Sequence, residues 1–171
     1  LPKPLIPMKG KAIIEHIISE FKNYGVSNYF ISLNYKSQLI KAFFSELKLN
    51  CKINYLNEKK PLGTAGCLKL LQNKKLENFF VINCDTIIKT NLNEFLKFHK
   101  ESKNDISVIG AINKVEIPYG VCEIGKNQKI KKIDEKPKIN FLTNTGCYLV
   151  NKEILKLIPK DKYLDFTDLI T

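Results

Sequence analysis

The stretch that decides the fold lies between residues 61 and 85. It begins Pro61-Leu62-Gly63-Thr64-Ala65-Gly66, continues through an apolar helical pattern, and ends Phe79-Phe80-Val81-Ile82-Asn83-Cys84-Asp85. Glycines at the start of a helix let the backbone approach a flat or anionic ligand, and the first N–H groups of a helix are free to bind it. The carboxylate that follows the buried strand falls where open α/β sheets bind ligands. This order predicts a site for a nucleotide and a divalent metal ion.

Strand and helix patterns alternate along much of the chain. They cover 12–24 (helix), 29–33 (strand), 37–47 (helix), 51–56 (strand), 64–71 (helix), 79–83 (strand), 92–100 (helix) and 106–112 (strand). This alternation predicts a largely parallel, doubly wound sheet. Shorter strand patterns at 119–124, 130–135 and 145–150, with a final helix at 152–158, predict a mixed sheet in the remainder. The expected fold class is an α/β three-layer sandwich with a mixed, mostly parallel, Rossmann-like sheet.

Composition argues against several classes of protein. The net charge of +11 comes from 28 basic residues that are all lysine, and arginine is absent. Nucleic-acid readers usually depend on the planar guanidinium fork, so a solvated lysine-rich surface is favoured over a nucleic-acid partner. No apolar run is long enough to cross a bilayer, and no signal peptide opens the chain. We therefore expect a cytoplasmic protein without a membrane partner.

The five cysteines are odd in number, widely spaced, and form no Cys-x-x-Cys pair. This spacing argues against a disulfide framework or a zinc site and favours reduced thiols. Cys84 adjoins Asp85, and side chains alternate between the two faces of a strand. Cys84 is therefore predicted to point into the core.

Six short motifs follow one another along the chain. They are Pro2-Lys3-Pro4-Leu5-Ile6-Pro7, Glu58 with Leu62-Gly63-Thr64-Ala65-Gly66, Asn83-Cys84-Asp85, Tyr119-Gly120-Val121, Glu135-Lys136-Pro137 and Asn144-Thr145-Gly146-Cys147-Tyr148. In order and separation they resemble the sugar-phosphate nucleotidyltransferase family, whose members join a nucleoside triphosphate to a sugar 1-phosphate and release pyrophosphate. Segment 61–66 looks most like the guanylyltransferases for mannose, heptose or glucosamine 1-phosphate. The resemblance therefore favours GTP and a nucleotide-sugar for bacterial glycan synthesis.

The resemblance implies a role for each motif residue. The catalytic residues would be Lys3, which neutralises phosphate charge, and Asp85, which also holds Mg²⁺. The nucleotide would be bound by Glu58, Leu62, Gly63, Thr64, Ala65, Gly66 and Asn83, with the N–H groups of residues 63–66 near the base. The sugar 1-phosphate would be contacted by Tyr119, Gly120, Glu135, Lys136, Asn144 and Gly146. A single domain over 1–171 would comprise a nucleotide-binding half, 1–112, and an incomplete sugar-binding half, 113–171.

Three departures from the family pattern keep alternatives open. Cys84 replaces the usual glycine of its motif. The family's glycine-rich loop with its arginine is expected just before Leu1, and a second metal-binding aspartate beyond Thr171, so the fold is expected to be truncated at both ends. A uridylyl-, thymidylyl- or cytidylyltransferase stays open, as does a non-catalytic regulatory relative that binds a nucleotide or sugar phosphate. The identity of the sugar and base and a homo-oligomeric state are also open.

Other interpretations compete at single positions. Asp85 is alternatively the N-cap of a helix after the strand, and Glu58 is alternatively a solvated carboxylate at a strand end. A glycosyltransferase that uses nucleotide-sugars is disfavoured, because such enzymes carry Asp-x-Asp at the strand end and this chain carries Asn83-Cys84-Asp85.

Overall fold

The computed structural model describes residues 1–171, in which strands and helices alternate. The strands are β1 Pro7–Met8, β2 Lys11–Ala12, β3 Asn28–Leu33, β4 Lys52–Asn57, β5 Asn78–Ile82, β6 Ile106–Glu116, β7 Val121–Ile124, β8 Ile130–Asp134 and β9 Lys138–Asn151. The α-helices are α1 Ile13–Lys22, α2 Ser37–Glu46, α3 Gly63–Gly66, α4 Leu92–Glu101 and α5 Phe166–Ile170. Short 3-10 helices cover Lys3–Leu5, Cys67–Leu71, Lys126–Gln128 and Lys152–Lys156.

The chain divides into two compact units. The first combines Leu1–Val108 with Gly146–Thr171, and the second is Ile109–Thr145. The boundaries fall within β6 and β9. A single domain over 1–171, with a nucleotide-binding half over 1–112 and a sugar-binding half over 113–171, stays a prediction.

In the first unit, β3 and β4 form a parallel pair. The register runs from Asn28 opposite Lys52 to Leu33 opposite Asn57. Parallel strands need a crossover between them, and α2 supplies it. Its apolar face contributes to a core whose buried members are Leu5, Ile18, Leu33, Ile40 and Phe44. Glu58 follows directly after β4, at the end of this parallel strand pair.

A second sheet of the first unit has the strand order β5-β9-β6. Strand β9 runs antiparallel to β5, with Asn78 opposite Asn151 and Ile82 opposite Cys147. The sheet arrangement is therefore mixed, and the predicted α/β class is confirmed. Strands β6 and β9 extend well beyond the predicted 106–112 and 145–150, because their additional residues are largely exposed and lack the apolar pattern on which those limits were based.

Two predicted helices are tighter than expected. The predicted helix 64–71 is α3 followed by the 3-10 helix Cys67–Leu71, and the predicted helix 152–158 is the 3-10 helix Lys152–Lys156. The main core packs around these segments and the buried end of β9. Its fully or nearly fully buried side chains include Ala65, Leu71, Val150, Ile158 and Phe166. Burial of each large apolar side chain stabilises the fold by about 1.5–3 kcal/mol.

A buried polar network joins α4 to β5 and β6. His99 is only 1% exposed, with Nδ1 2.8 Å from Ser107 Oγ and Nε2 3.2 Å from Asn78 Oδ1. Ser107 Oγ also accepts a hydrogen bond from Asn104 Nδ2 at 3.1 Å. Since an amide oxygen only accepts, Nε2 carries the proton and Nδ1 accepts from the Ser107 hydroxyl. Desolvation lowers the pKa of His99, against the opposing charge of Asp105, so the neutral ring is favoured.

The second unit contains the antiparallel hairpin of β7 and β8, with Val121 opposite Asp134. Its β6 and β9 segments are joined by side-chain contacts, including hydrogen bonds from Thr143 Oγ1 to the Ala111 carbonyl and from Thr145 Oγ1 to the Ile109 carbonyl. Most of its residues are exposed. Across the whole structure, helices are too short or too polar for a membrane crossing.

Candidate active site

Lys3 and Asp85 are distant in sequence and meet as an ion pair in the first unit. Lys3 opens a 3-10 helix directly after Pro2, and Asp85 follows the end of β5 by three residues. Lys3 Nζ lies 3.7 Å from Asp85 Oδ2, and the two side chains are 76% and 44% exposed. Two predicted catalytic residues are thus adjacent, and both side chains are accessible to solvent. Asp85 is not a helix N-cap, because the next α-helix is α4, which Asn91 caps.

The residues beside Asp85 define the end of the strand. Cys84 is exposed, so its predicted core position is wrong: the chain has already left β5 for a turn, and strand alternation no longer applies. Desolvation of the thiol and the negative charge of Asp85 raise the pKa of Cys84. The thiol form is therefore favoured next to the carboxylate.

Asn83 lies against Gly146 where β5 and β9 end their pairing. The Asn83 amide donates to the Gly146 carbonyl at 3.0 Å. Gly146 has φ +75°, and a Cβ placed on it would lie 2.8 Å from Asn83 Cγ. A glycine is required there both by the backbone conformation and by the side chain that covers it. The structure thus brings together one residue of the third motif and one of the sixth.

Glu58 is held in place by two neighbouring donors. Its Oε1 accepts from Ser32 Oγ at 2.5 Å, and its Oε2 accepts from the Leu62 amide at 2.8 Å. The alternative of a free, solvated carboxylate is therefore excluded for this structure. Each carboxylate oxygen can accept a second hydrogen bond, so Glu58 keeps capacity for a ligand.

Four backbone N–H groups of segment 62–66, those of Leu62, Thr64, Ala65 and Gly66, donate hydrogen bonds inside the protein. Thr64 N donates to Asp165 Oδ1 at 2.9 Å, and the amides of Ala65 and Gly66 both donate to the Leu164 carbonyl at 3.0 Å. The expectation that the N–H groups of Thr64, Ala65 and Gly66 are free to meet a base therefore does not hold. A nucleotide-binding role for the segment stays a prediction that depends on its surface and on Glu58.

The two glycines of this segment allow residues 162–165 to pack closely against its backbone. A Cβ on Gly63, which has φ +77°, would lie 2.5 Å from the Leu164 carbonyl oxygen. A Cβ on Gly66 would lie 2.7 Å from the Lys162 carbonyl oxygen. Sequence reasoning did not single out residues 162–165. The available signal was Asp165 immediately before a helical pattern, which is typical of an N-cap.

In the second unit, the fourth and fifth motifs meet at one end of the β7–β8 hairpin. A Cβ on Gly120 would lie 3.0 Å from Glu135 Oε2, and the Ile117 amide donates to the Pro137 carbonyl at 3.1 Å. Tyr119 is 74% exposed. Lys136 has φ +47° in the turn after β8, and Asn144 lies in β9. Hairpin pairing therefore gathers Tyr119, Gly120 and Glu135.

The carboxylate of Asp85 is the side chain available at this site for a divalent metal ion. The structure contains no group of three or more His, Cys, Asp or Glu side chains that could hold a metal. Mg²⁺ does not require one, because it binds through one or two carboxylates and completes its shell with water and phosphate oxygens. The exposed carboxylate of Asp85 fits such a role, and Lys3 beside it fits the accompanying phosphate charge.

Comparison with known proteins identifies the family of the chain. The chain matches the nucleotidyl transferase family over residues 1–170, and it belongs to that family. It is 37% identical over 168 residues to mannose-1-phosphate guanylyltransferase 1 of Arabidopsis thaliana, covering 92% of this chain and 46% of the relative. It is 32% identical over 178 residues to the bifunctional protein GlmU of Methanococcus maripaludis, covering 98% of this chain and 40% of the relative. The chain thus spans about half the length of the curated relatives it matches.

Solved structures support the same fold. HddC from Yersinia pseudotuberculosis complexed with GMP-PN superposes with a TM-score of 0.73 at 26% identity, covering 97% of this chain and 74% of HddC. A putative glucose-1-phosphate thymidylyltransferase from Bacillus anthracis superposes with a TM-score of 0.70 at 23% identity, covering 98% of this chain and 72% of that one. The α/β fold and the resemblance to sugar-phosphate nucleotidyltransferases are both confirmed.

Proposed function

We propose that the full-length protein transfers GMP from GTP to a sugar 1-phosphate, releases pyrophosphate, and supplies a nucleotide-sugar for bacterial glycan synthesis in the cytoplasm. The single observation that carries the proposal is the ion pair of Lys3 and Asp85, in which a phosphate-neutralising cation adjoins a metal-binding carboxylate. Family membership and the names of the relatives, which include mannose-1-phosphate guanylyltransferase, support the same reaction.

The chemistry places few demands on the protein beyond position and charge. A phosphate oxygen of the sugar 1-phosphate attacks the α-phosphorus of GTP, and the bond from that phosphorus to the β-phosphate bridging oxygen breaks in line. Both substrates are anions, so their approach requires neutralisation of charge, which Lys3 provides. Holding two reactants in the correct geometry supplies about 7–11 kcal/mol of the barrier reduction, which makes orientation the main task of the site.

Asp85 would hold Mg²⁺ through its exposed carboxylate. The bound ion supplies charge neutralisation at the phosphate oxygens. The distance of 3.7 Å between Lys3 Nζ and Asp85 Oδ2 indicates a loose ion pair rather than a tight hydrogen bond. Lys3 would therefore be able to contact a phosphate oxygen, and the Asp85 carboxylate would be available to hold the metal ion.

Preference for guanine rests on Glu58. Guanine presents two neighbouring donors, N1–H and the 2-amino group, which match the two oxygens of one carboxylate. Both Glu58 oxygens are oriented by Ser32 and the Leu62 amide and keep acceptor capacity. Leu62 and the residues of 63–66 would pack against the base, and Asn83 would contact the nucleotide. Uracil and thymine lack the paired donors and would bind less well.

The sugar 1-phosphate would be contacted by residues of the later motifs. Tyr119 offers an exposed ring, Glu135 accepts hydrogen bonds from hydroxyl groups, and Lys136 attracts the phosphate. Gly120 and Gly146 permit close approach, and Asn144 completes the proposed set. We favour mannose 1-phosphate as acceptor because several of the relatives carry that substrate in their names.

A substrate panel tests the proposal. The full-length protein is incubated with Mg²⁺, each of GTP, UTP, dTTP, CTP and ATP, and mannose, glucose or N-acetylglucosamine 1-phosphate, and pyrophosphate release is measured. GTP with mannose 1-phosphate is expected to react fastest. Preference for another nucleotide would replace guanylyl transfer with a related nucleotidyl transfer. Nucleotide binding without turnover for any pair would favour the non-catalytic alternative.

Binding is measured in parallel by thermal unfolding. A nucleotide at a hundredfold its dissociation constant stabilises the native state by about 2.7 kcal/mol. Selective stabilisation by GTP is the expected result. Equal response to all five nucleotides would contradict the role given to Glu58.

A further inference from the structure

Thr64 and Asp165 form a reciprocal contact across 101 positions of sequence. The Thr64 amide and hydroxyl both donate to Asp165 Oδ1, at 2.9 and 3.0 Å. In return, Thr64 Oγ1 accepts from the Phe166 amide at 3.0 Å. Each residue therefore satisfies a free N–H group of the other's short helix, which is the capping interaction that helices normally make within their own sequence.

The neighbouring backbone reinforces this contact. The Leu164 amide donates to the Leu62 carbonyl at 2.9 Å, and the Leu164 carbonyl accepts from the amides of Ala65 and Gly66. Tyr163 donates its hydroxyl to Asp165 Oδ2 at 2.8 Å, so both oxygens of the carboxylate are engaged. Hydrogen bonds from Thr64 and Tyr163 hold the pKa of Asp165 below its usual range, which keeps the acceptor ionised.

We propose that Asp165 is a positioning residue for segment 62–66, fixing the surface that this segment presents to the nucleotide. The inference rests on the proposed function, because segment 62–66 is the proposed nucleotide contact. Asp165 does not touch the base; it acts through Thr64. Helix α3 within this segment is only four residues long, so its geometry depends on the residues that accept its N–H groups.

The chemistry explains why an acceptor is needed at this position. Hydrogen bonds to an ionised carboxylate are stronger than those between neutral groups, and loss of the acceptor leaves the Thr64 amide without its partner. The glycines bring the two segments close enough for these bonds, since side chains at positions 63 or 66 would collide with residues 162–165. Glu58, whose Oε2 accepts from the Leu62 amide, would lose its fixed orientation together with the segment.

Steady-state kinetics of the full-length protein test the proposal. Asp165→Ala removes the acceptor of three hydrogen bonds, two from Thr64 and one from Tyr163, and is expected to raise the KM for GTP about tenfold or more, while the KM for the sugar 1-phosphate changes by less than about twofold. Asp165→Asn keeps an oxygen acceptor for Thr64 and is expected to restore the KM for GTP to within about threefold of wild type. Asp168→Ala removes a carboxylate from the same helix and serves as the matched control, with wild-type kinetics.

A second variant covers the case in which Asp165→Ala does not fold. Thr64→Val removes the hydroxyl that donates to Asp165 and is expected to raise the KM for GTP about threefold or more. If Asp165→Ala folds, an unchanged KM for GTP in that variant would overturn the proposal. If it does not fold, an unchanged KM for GTP in Thr64→Val would do so. A merely structural role would lower the melting temperature and the active fraction without separating the two KM values. Wild-type protein that turns over no nucleotide would sink the proposed function itself, and this inference with it.

Discussion

Lys3 Nζ and Asp85 Oδ2 lie 3.7 Å apart, although the two residues are separated by 82 positions of sequence. Exposed ion pairs contribute only about 0–1 kcal/mol to stability, and this pair is largely exposed. Its contribution to the fold is therefore small. The juxtaposition is consistent with the roles proposed for the two groups toward a shared anionic substrate.

The first prediction separates the function of Asp85 from its contribution to stability. Asp85→Asn in the full-length protein is expected to lower kcat/KM by about a hundredfold or more, because a neutral amide is a poor ligand for Mg²⁺. The free energy of unfolding should change by less than about 0.5 kcal/mol, since the side chain is exposed. Steady-state kinetics and urea unfolding give the two quantities.

Asp161→Asn is the matched control for this variant, because it makes the same change at an exposed carboxylate outside the site. It should leave both quantities at their wild-type values. Full activity of Asp85→Asn at saturating Mg²⁺ would remove Asp85 from the metal site.

The second prediction concerns the close approach at Gly66. This residue has helical backbone angles, with φ −60°, so helix propensity alone would make Gly66→Ala stabilising by about 0.8–1 kcal/mol. The Cβ would, however, lie 2.7 Å from the Lys162 carbonyl oxygen. We expect the collision to prevail and Gly66→Ala to lower the free energy of unfolding by about 1–3 kcal/mol.

Gly125→Ala provides the comparison, because its Cβ would meet nothing closer than 3.6 Å. It should change the free energy of unfolding by no more than about 0.5 kcal/mol. Chemical denaturation measures both variants, and a stabilised Gly66→Ala protein would show that residues 162–165 yield to the methyl group.

The third prediction addresses Asn83 and Gly146 as a pair. Gly146→Ala adds a left-handed backbone cost of about 1–2 kcal/mol and a collision with the Asn83 side chain. Asn83→Ala removes the collision but not the backbone cost. In a double-mutant cycle the two substitutions together should destabilise less than the sum of the single ones, by at least about 0.5 kcal/mol. Strict additivity would mean that the side chain of Asn83 moves aside without cost.

The fourth prediction is a pH dependence that originates at His99. Its pKa is lowered in the folded state, so the unfolded state takes up a proton first as the pH falls. The stability that the neutral ring provides is complete above the unfolded pKa of about 6.5 and is lost as the pH falls through the lower folded value. Urea unfolding at pH 8 and pH 5 should show this loss in the wild type.

His99→Gln should reduce overall stability and flatten this pH dependence, because the titrating group is gone. His16→Gln is the control, since His16 is the other histidine of the chain, and the wild-type slope should persist. An unchanged slope in His99→Gln would assign the pH dependence to other groups.

Sequence patterns predicted the local elements of the first unit well. The helix from 37 and the strand from 79 lie within one residue of their predicted starts, because apolar periodicity there reflects real burial. The order β5-β9-β6 could not be read in the same way. The apolar pattern of a strand does not indicate which strand it pairs with. Strand β9 pairs with β5 although more than fifty residues separate the two strands in sequence.

The sequence named candidate residues for the site but did not predict which residues they contact. The motif order gave Lys3, Asp85 and Glu58, but the partners of segment 62–66 were missed. A free N–H group at a helix start is the usual expectation, and only the three-dimensional structure reveals that Leu164 and Asp165 occupy those groups. Cys84 was misplaced for a related reason, since alternation stops where a strand becomes a turn.

The central position of β9 in the β5-β9-β6 sheet also affects folding during synthesis on the ribosome. A ribosome adds about 5–20 residues each second, so the segment opposite β5 emerges on the order of ten seconds after β5 itself. Throughout that interval β5 and the start of β6 present unpaired edges, which are templates for pairing with other chains. Until residue 151 has left the exit tunnel, these edges are the parts of the nascent chain most open to pairing with other chains.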